Sequence, residues 1–288
     1  MLHYYRTTQD ETLLEEQLFD ITQQIVDQLA DKNEENIYRD KDGLLFTGTN
    51  EYDAGWIPAS AVSPNLPRYG KLLEVNALYY SALKTAEFFG RELKKNRSGK
   101  KYAEMASITR KSFLGKFWDD SAIQFSDVLR ENFRDNSFRI NQLFLISLPF
   151  SVLDDTLGLN VLKQVENELL TPFGLRSLSF KDENYIGKLS RLISYRDPEY
   201  YRGAVWPWTL RMYVTAVLKY RGNNQQVIDY LRRVLENFEH VFQYDTIGFL
   251  PELFEGNPPH RRNGSLSCSL TMCEYLLANF YLGMKEKE

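Results

Sequence analysis

Apolar residues return every three or four positions through much of the chain, a spacing that lines one face of a 3.6-residue turn. Leu14, Leu18, Ile21, Ile25 and Leu29 form one such stripe; Val227, Leu231, Val234, Phe238 and Val241 form a second; Leu266, Leu270, Cys273, Leu277 and Phe280 form a third. Each predicts an amphipathic helix with its stripe buried. Further helices are predicted around 74–90, 100–117, 140–148, 156–169 and 204–220. Asp10 and Asp155 are the expected N-caps, because a carboxylate there accepts the unpaired N–H groups of a first turn. Strand-like alternation is nearly absent. Polar or Gly/Pro-rich stretches at 38–73, 118–138, 171–203 and 243–263 separate the helices. Trp56, Trp118 and the three prolines of 251–259 lie in them, with Trp206 and Trp208 just beyond. Ordered segments of that length commonly carry a site. No linker-like boundary and no exact repeat divides the chain. Residues 1–288 are therefore expected to form a single all-α domain of helical hairpins, and a six-hairpin α/α barrel (an α/α toroid), with its functional loops at one end, fits the pattern.

Composition narrows the function. A chain of 288 residues, 43 % of them hydrophobic, can bury roughly three quarters of its extended surface without staples. Its formal net charge of −4 and the scatter of its lysines and arginines among acids offer no field for a phosphate backbone. Neither nucleic acid nor membrane is an expected partner. The longest apolar run, Leu143 to Phe150, is about half what a spanning helix needs. The start, MLHYYRTTQDE, lacks the apolar core of a secretion signal, and a cytoplasmic location is expected. Cys268 and Cys273 match no zinc or redox spacing and are expected to be two buried thiols. No metal and no cofactor is implied.

Phosphate-binding glycine loops, a G-x-S-x-G elbow and H-E-x-x-H are all missing, which leaves carboxylates beside aromatics as the carriers of chemistry. GFLPELFEGNPPHRR (248–262) sets Glu252 after Pro251 in a turn-rich stretch, with Glu255 and His260 close behind. Glu252 is a candidate for activating water, against the plainer alternative of a solvated acid. AVWPW (204–208) places Trp206 and Trp208 where a ring face can stack on a sugar or simply pack in a core. RYGKLLEVNALYY (68–80) gathers Arg68, Lys71, Glu74 and Asn76 at one helix start, a density that suits polyol recognition or a capping and ion-pair cluster.

Together these blocks resemble the C-terminal, amylo-α-1,6-glucosidase domain of glycogen debranching enzymes. DGLLFTG (42–48), RYGKLLEVNALYYSAL (68–83), NQLFLISLPFSVLDD (141–155), LLTPFGLRSLSFKDENYIG (169–187), RDPEYYRGAVWPW (196–208) and GFLPELFEGNPPHRRNG (248–264) come in the family's order and at nearly its spacing. The resemblance implies the α/α barrel and an α-glucan substrate such as glycogen. It also implies inverting hydrolysis of α-1,6 branches by two carboxylates that stand ~6.5–9.5 Å apart to admit a water. Carried over by position, the general base is Glu252. The sugar contacts are Trp56, Arg68, Lys71, Glu74, Asn76, Arg202, Trp206, Trp208 and His260.

The sequence also departs from the family. Where the family has the aspartate of T-W-M-D-A, this chain reads Gly55, Trp56, Ile57, Pro58, Ala59, and proline has no proton to give. Asp53, five residues earlier, is the candidate replacement acid. The family's Y-H-Q-G becomes Tyr200, Tyr201, Arg202, Gly203, and a segment with glutamine and tryptophan becomes Ser267 to Leu270. The alternative to a hydrolase is accordingly a catalytically silent glucan-binding or regulatory domain. HYYRTTQDE matches only the end of the family's first barrel helix. A truncated first helix is expected, with the remainder upstream, supplied by a separate N-terminal or transferase polypeptide, or dispensed with.

Overall fold

A computed structural model describes residues 1–31, 36–49, 55–57, 68–190, 199–245 and 248–285. These are 56 % helical and 12 % strand, and the strands make four sheets, one of five strands. The expectation of an all-α six-hairpin barrel is thereby corrected. Its cause is strand length: every strand has two or three residues, too few for an alternation to register in the sequence. Nearly all lie in the long stretches between helices, where antiparallel pairing satisfies backbone groups that burial removes from water. The described residues gather into two compact units, one from Met1–Pro58, Pro67–Asn136 and Leu148–Val152, the other from Ser137–Ser147 and Leu153–Glu288.

The first unit begins with α1 (Leu2–Thr8) and α2 (Glu11–Leu13), the latter capped by Asp10, whose carboxylate accepts the Leu13 N–H at 2.9 Å. A π-turn over Leu14–Leu18 follows, then α3 (Phe19–Ala30). One extra residue in a turn rotates everything after it by about 100°. The predicted stripe therefore breaks: Leu14 and Leu18 are buried, but Phe19, Thr22 and Val26 continue the inner face while Ile21 and Ile25 stand 40 % and 42 % exposed. Leu2, Tyr5, Leu14, Leu18, Phe19 and Phe89 close into one cluster. A long helical hairpin, α4 (Leu73–Glu92) and α5 (Asn96–Phe117), carries the rest of the unit. Short ladders join it: β1 (Tyr38–Arg39) with β2 (Leu45–Phe46), β4 (Trp118–Asp119) with β5 (Gln124–Phe125), and β3 (Lys71–Leu72) beside β6 (Val128–Arg130) and β7 (Phe133–Asp135). Asn76 ties loop to helix. Its amide donates to the Leu45 and Leu72 carbonyls at 3.0 and 2.9 Å and accepts the Leu45 N–H at 2.7 Å.

In the second unit, α8 (Leu210–Arg221) packs against α6 (Gln142–Ser147), α7 (Asp155–Glu168), α9 (Gln225–His240) and α10 (Ser269–Lys285). The Tyr213 hydroxyl donates to Glu166 at 2.8 Å and pairs with Tyr230. Burial, reinforced by Tyr230 and Glu166, holds that phenol well above the usual tyrosine pKa. The stripe predicted for α9 is buried at Leu231, Phe238 and Val241, joined by Ile228 and Leu235. That predicted for α10 is not. Thr271, Tyr275, Ala278 and Leu282 face inward, whereas Leu270, Cys273, Leu277 and Phe280 are exposed. The helix is apolar on both sides, so its spacing could not say which side packs. The two thiols are likewise not buried: Cys268 is half-buried and Cys273 exposed. Among the described residues no helix is long and apolar enough to cross a membrane.

The N-cap of α7 is Asp154, which accepts the Leu157 N–H at 2.9 Å, and not Asp155. Asp154→Ala should cost ~1 kcal/mol in urea denaturation, while Asp155→Ala should cost only a few tenths. Equal effects would contradict the observed cap. Asn76→Ala strips three buried backbone groups of their partners, and a loss of ~2–4 kcal/mol is expected in the same measurement. Asn76→Asp should be no better, because a carboxylate cannot donate to the two carbonyls.

Candidate functional site

In the first unit, β3 runs directly into α4, and its flanks bring together Arg68, Lys71, Glu74 and Asn76. Arg68 is 1 % and Glu74 2 % exposed, joined by two parallel hydrogen bonds of 2.9 Å, Nη1 to Oε1 and Nη2 to Oε2. The Arg68 Nε lies 3.0 Å from Asp127, and Asp135 is a further buried acid that acts on the same guanidinium. Burial alone would weaken the guanidinium's hold on its proton. The attraction of Asp127 and Glu74 exceeds that effect and raises its pKa above the ordinary arginine value. Lys71 reaches Asp40 at 2.7 Å and Asp42 at 2.6 Å. Gly55 sits on the Arg68–Glu74 pair, where an added Cβ would lie 3.4 Å from Glu74 Oε1. Half-buried Trp56 and buried Ile57 follow it. Arg68, Glu74 and Asn76 are thus enclosed and engaged within their unit, where they fix the start of α4. The sequence showed the density of polar groups here but not Asp127 and Asp135, which arrive on a distant hairpin. Asp53 and Pro58 lie outside the described residues.

In the second unit, β8 (Leu170–Thr171), β9 (Gly174–Arg176), β10 (Val205–Trp206), β11 (Leu253–Phe254) and β12 (Arg262–Asn263) form one antiparallel sheet in the order β12-β11-β10-β9-β8. Val205 stands opposite Phe254, so Trp206 on β10 and Glu252 just before β11 occupy the same end of the sheet. Half-buried Glu252 receives two fixed contacts from the far side of its hairpin. Its N–H donates to the Ser265 carbonyl at 2.9 Å, and its Oε2 accepts the Ser265 N–H at 2.8 Å. No hydrogen bond from a described residue reaches Oε1. Gly264 makes this seat possible: at φ +70° it adopts a backbone that side chains disfavour, and a Cβ there would fall 2.6 Å from Oε2.

The neighbouring candidates are more firmly packed. Trp206 donates its indole N–H to the Tyr200 carbonyl at 2.9 Å, and its ring stacks on Tyr201 at 5.6 Å. Trp208 is half-buried in the short 3₁₀ turn Pro207–Thr209. Arg202 contributes its carbonyl to the Ile186 N–H at 2.6 Å. His260 turns back so that Nδ1 meets the Glu255 carbonyl at 2.9 Å. A framework not singled out from sequence holds these turns. Arg176 donates from Nε to the Gly256 carbonyl at 2.9 Å and to Tyr185 at 3.2 Å, and Tyr185 donates to Asn257 at 3.0 Å. Two separate sequence blocks, 169–187 and 248–264, meet in it, and only their shared order along the chain hinted at that. Among the described residues no cluster of three His, Cys, Asp or Glu forms a metal cage.

No curated protein matches the chain. Among the solved structures that share its fold are these two. One, titled "Sialidase", is 15 % identical with a TM-score of 0.65 over 95 % of this chain. The other, an uncharacterized conserved protein from Thermus thermophilus, is 13 % identical with a TM-score of 0.52 over 73 % of it. The chain spans only 24 % and 46 % of those two proteins. The profile of the amylo-alpha-1,6-glucosidase family matches residues 1–274, and the chain accordingly belongs to that family, which is related to the glycoside hydrolases.

Proposed function

We propose that this domain acts on an α-glucan, with Glu252 as the general base that activates water for inverting hydrolysis of an α-1,6-linked glucosyl branch. The observation that carries this is the asymmetric seat of the Glu252 carboxylate. One oxygen is anchored by the Ser265 N–H at 2.8 Å. The other, which no described residue engages, can take a proton from water. A base must be aimed before it can work, and anchoring one oxygen aims the other. Trp208 and His260 are half-buried groups able to contact a sugar. Trp206 backs the sheet from its stack on Tyr201. Protonation of the departing oxygen falls to a second carboxylate, for which Asp53 is the candidate.

A second function, glucan binding without turnover, is favoured by one specific feature: Pro58 stands where the family's general acid is expected. General acid catalysis contributes ~10²–10⁴ in rate. A natural α-1,6-linked glucan, whose leaving alkoxide needs that proton, should therefore be turned over very slowly. An α-glucosyl fluoride, which leaves without one, should be hydrolysed faster. Glu252→Gln should lower fluoride hydrolysis by at least ~10²-fold, Pro58→Asp should raise turnover of the natural glucan, and Asp53→Ala should abolish whatever natural turnover the parent has. Fluoride hydrolysis that persists in Glu252→Gln removes the assignment of the base. Glucan binding with no turnover by any variant on either substrate establishes the silent domain instead.

A further inference from the structure

We propose that the outer face of α10 is a docking surface for a second copy of this chain. The helix is tethered to its own unit through Thr271, Tyr275, Ala278 and Leu282, all 8 % exposed or less. On the opposite side Leu270, Leu276, Leu277 and Phe280 are 52 %, 57 %, 46 % and 65 % exposed, with Cys273 among them and Leu266, 66 % exposed, just ahead of the helix. A helix that is apolar all round is ordinarily enclosed all round.

The pattern of the outer face says what encloses it. Within the helix Leu270, Cys273, Leu277, Phe280 and Met284 follow one another at steps of three, four, three and four. That is the a/d repeat of a helix seam, whose knobs fit the holes of a like helix. Charge agrees. Between 270 and 284 the sequence has one ionisable acid or base of the Asp/Glu/Lys/Arg type, Glu274, and its carboxylate is taken by Arg211 at 2.8 Å. A stripe built for a different, charged partner carries complementary charges along its flanks. Over that span the helix itself carries none beyond the paired Glu274, and two copies meet along it without like-charge cost. The exposed apolar area is on the order of 500 Å² per copy, so a symmetric pair buries about 1,000 Å², the lower bound for a specific interface. The helix is already ordered by its inner face, so association spends little conformational entropy. A dimer with Kd in the micromolar range is the expected consequence.

Sedimentation velocity of the intact chain from about 1 to about 300 µM, with the rate of Cys273 alkylation followed in a Cys268→Ser background, tests this. The expected result is a monomer–dimer transition, with Cys273 labelling slowed at least tenfold across the same concentrations. Leu277→Asp and, separately, Phe280→Lys should shift Kd upward at least tenfold and restore labelling. Both residues are exposed, so unchanged circular dichroism should accompany them. A chain that stays monomeric throughout with Cys273 freely reactive overturns the proposal, as does a dimer that neither substitution weakens.

Discussion

Peptide groups that leave water must find partners, and most of this architecture follows from where the chain solves that problem outside its helices. The stretches around 125–130, 174–179, 203–206 and 250–256 are largely buried although none is helical. A buried segment of that kind is tolerated only if its N–H and C=O groups are paired. Each has become one side of a two- or three-residue antiparallel ladder. Side chains complete what the ladders leave open: Asn76 serves both backbone groups of Leu45, and Arg176 serves the carbonyls of Leu170 and Gly256. Glu252 stands at one end of such a ladder, which is why its carboxylate has a fixed direction.

The same constraint explains which parts of the fold were legible in the sequence. Helices α4, α5, α7 and α9 announced themselves because burial on one side writes a 3.6-residue period. The period misled in two places for two different reasons. At α3 the π-turn over Leu14–Leu18 shifts the register, so a stripe that is continuous in sequence is split in space. At α10 both faces are apolar, and Cys273 fell on the face that does not pack against its own unit. The ladders left no period at all, and the expected α/α barrel failed on their account.

Site residues were legible as types and less so as roles. RYGKLLEVNALYY advertised an unusual concentration of hydrogen-bonding groups, and that concentration exists. Its members serve one another: Arg68 answers Glu74 and Asp127, and Asn76 answers the backbone. A chain of letters does not show that carboxylates from α4 and from the β6–β7 hairpin meet at one guanidinium. Breaking such a group exposes the remaining charges to an apolar surround, so its persistence is explained by folding alone. Trp206 is similar. Its indole N–H and one ring face are both consumed inside the protein.

Glu252 differs because its carboxylate does two things at once. By accepting the Ser265 N–H it closes the hairpin that β11 and β12 begin, and that same bond fixes the other oxygen in a place where no described residue bonds to it. Retention of an acid at this position is therefore favoured by folding whether or not catalysis survives, and its presence alone is weak support for activity. What separates the two contributions is chemistry, not position. A glutamine here keeps a carbonyl oxygen that can still accept the Ser265 N–H, and so preserves the hairpin, yet it cannot take a proton from water. An alanine removes both. Any difference between those two replacements in folding belongs to the hairpin, and the activity they lose in common belongs to the base.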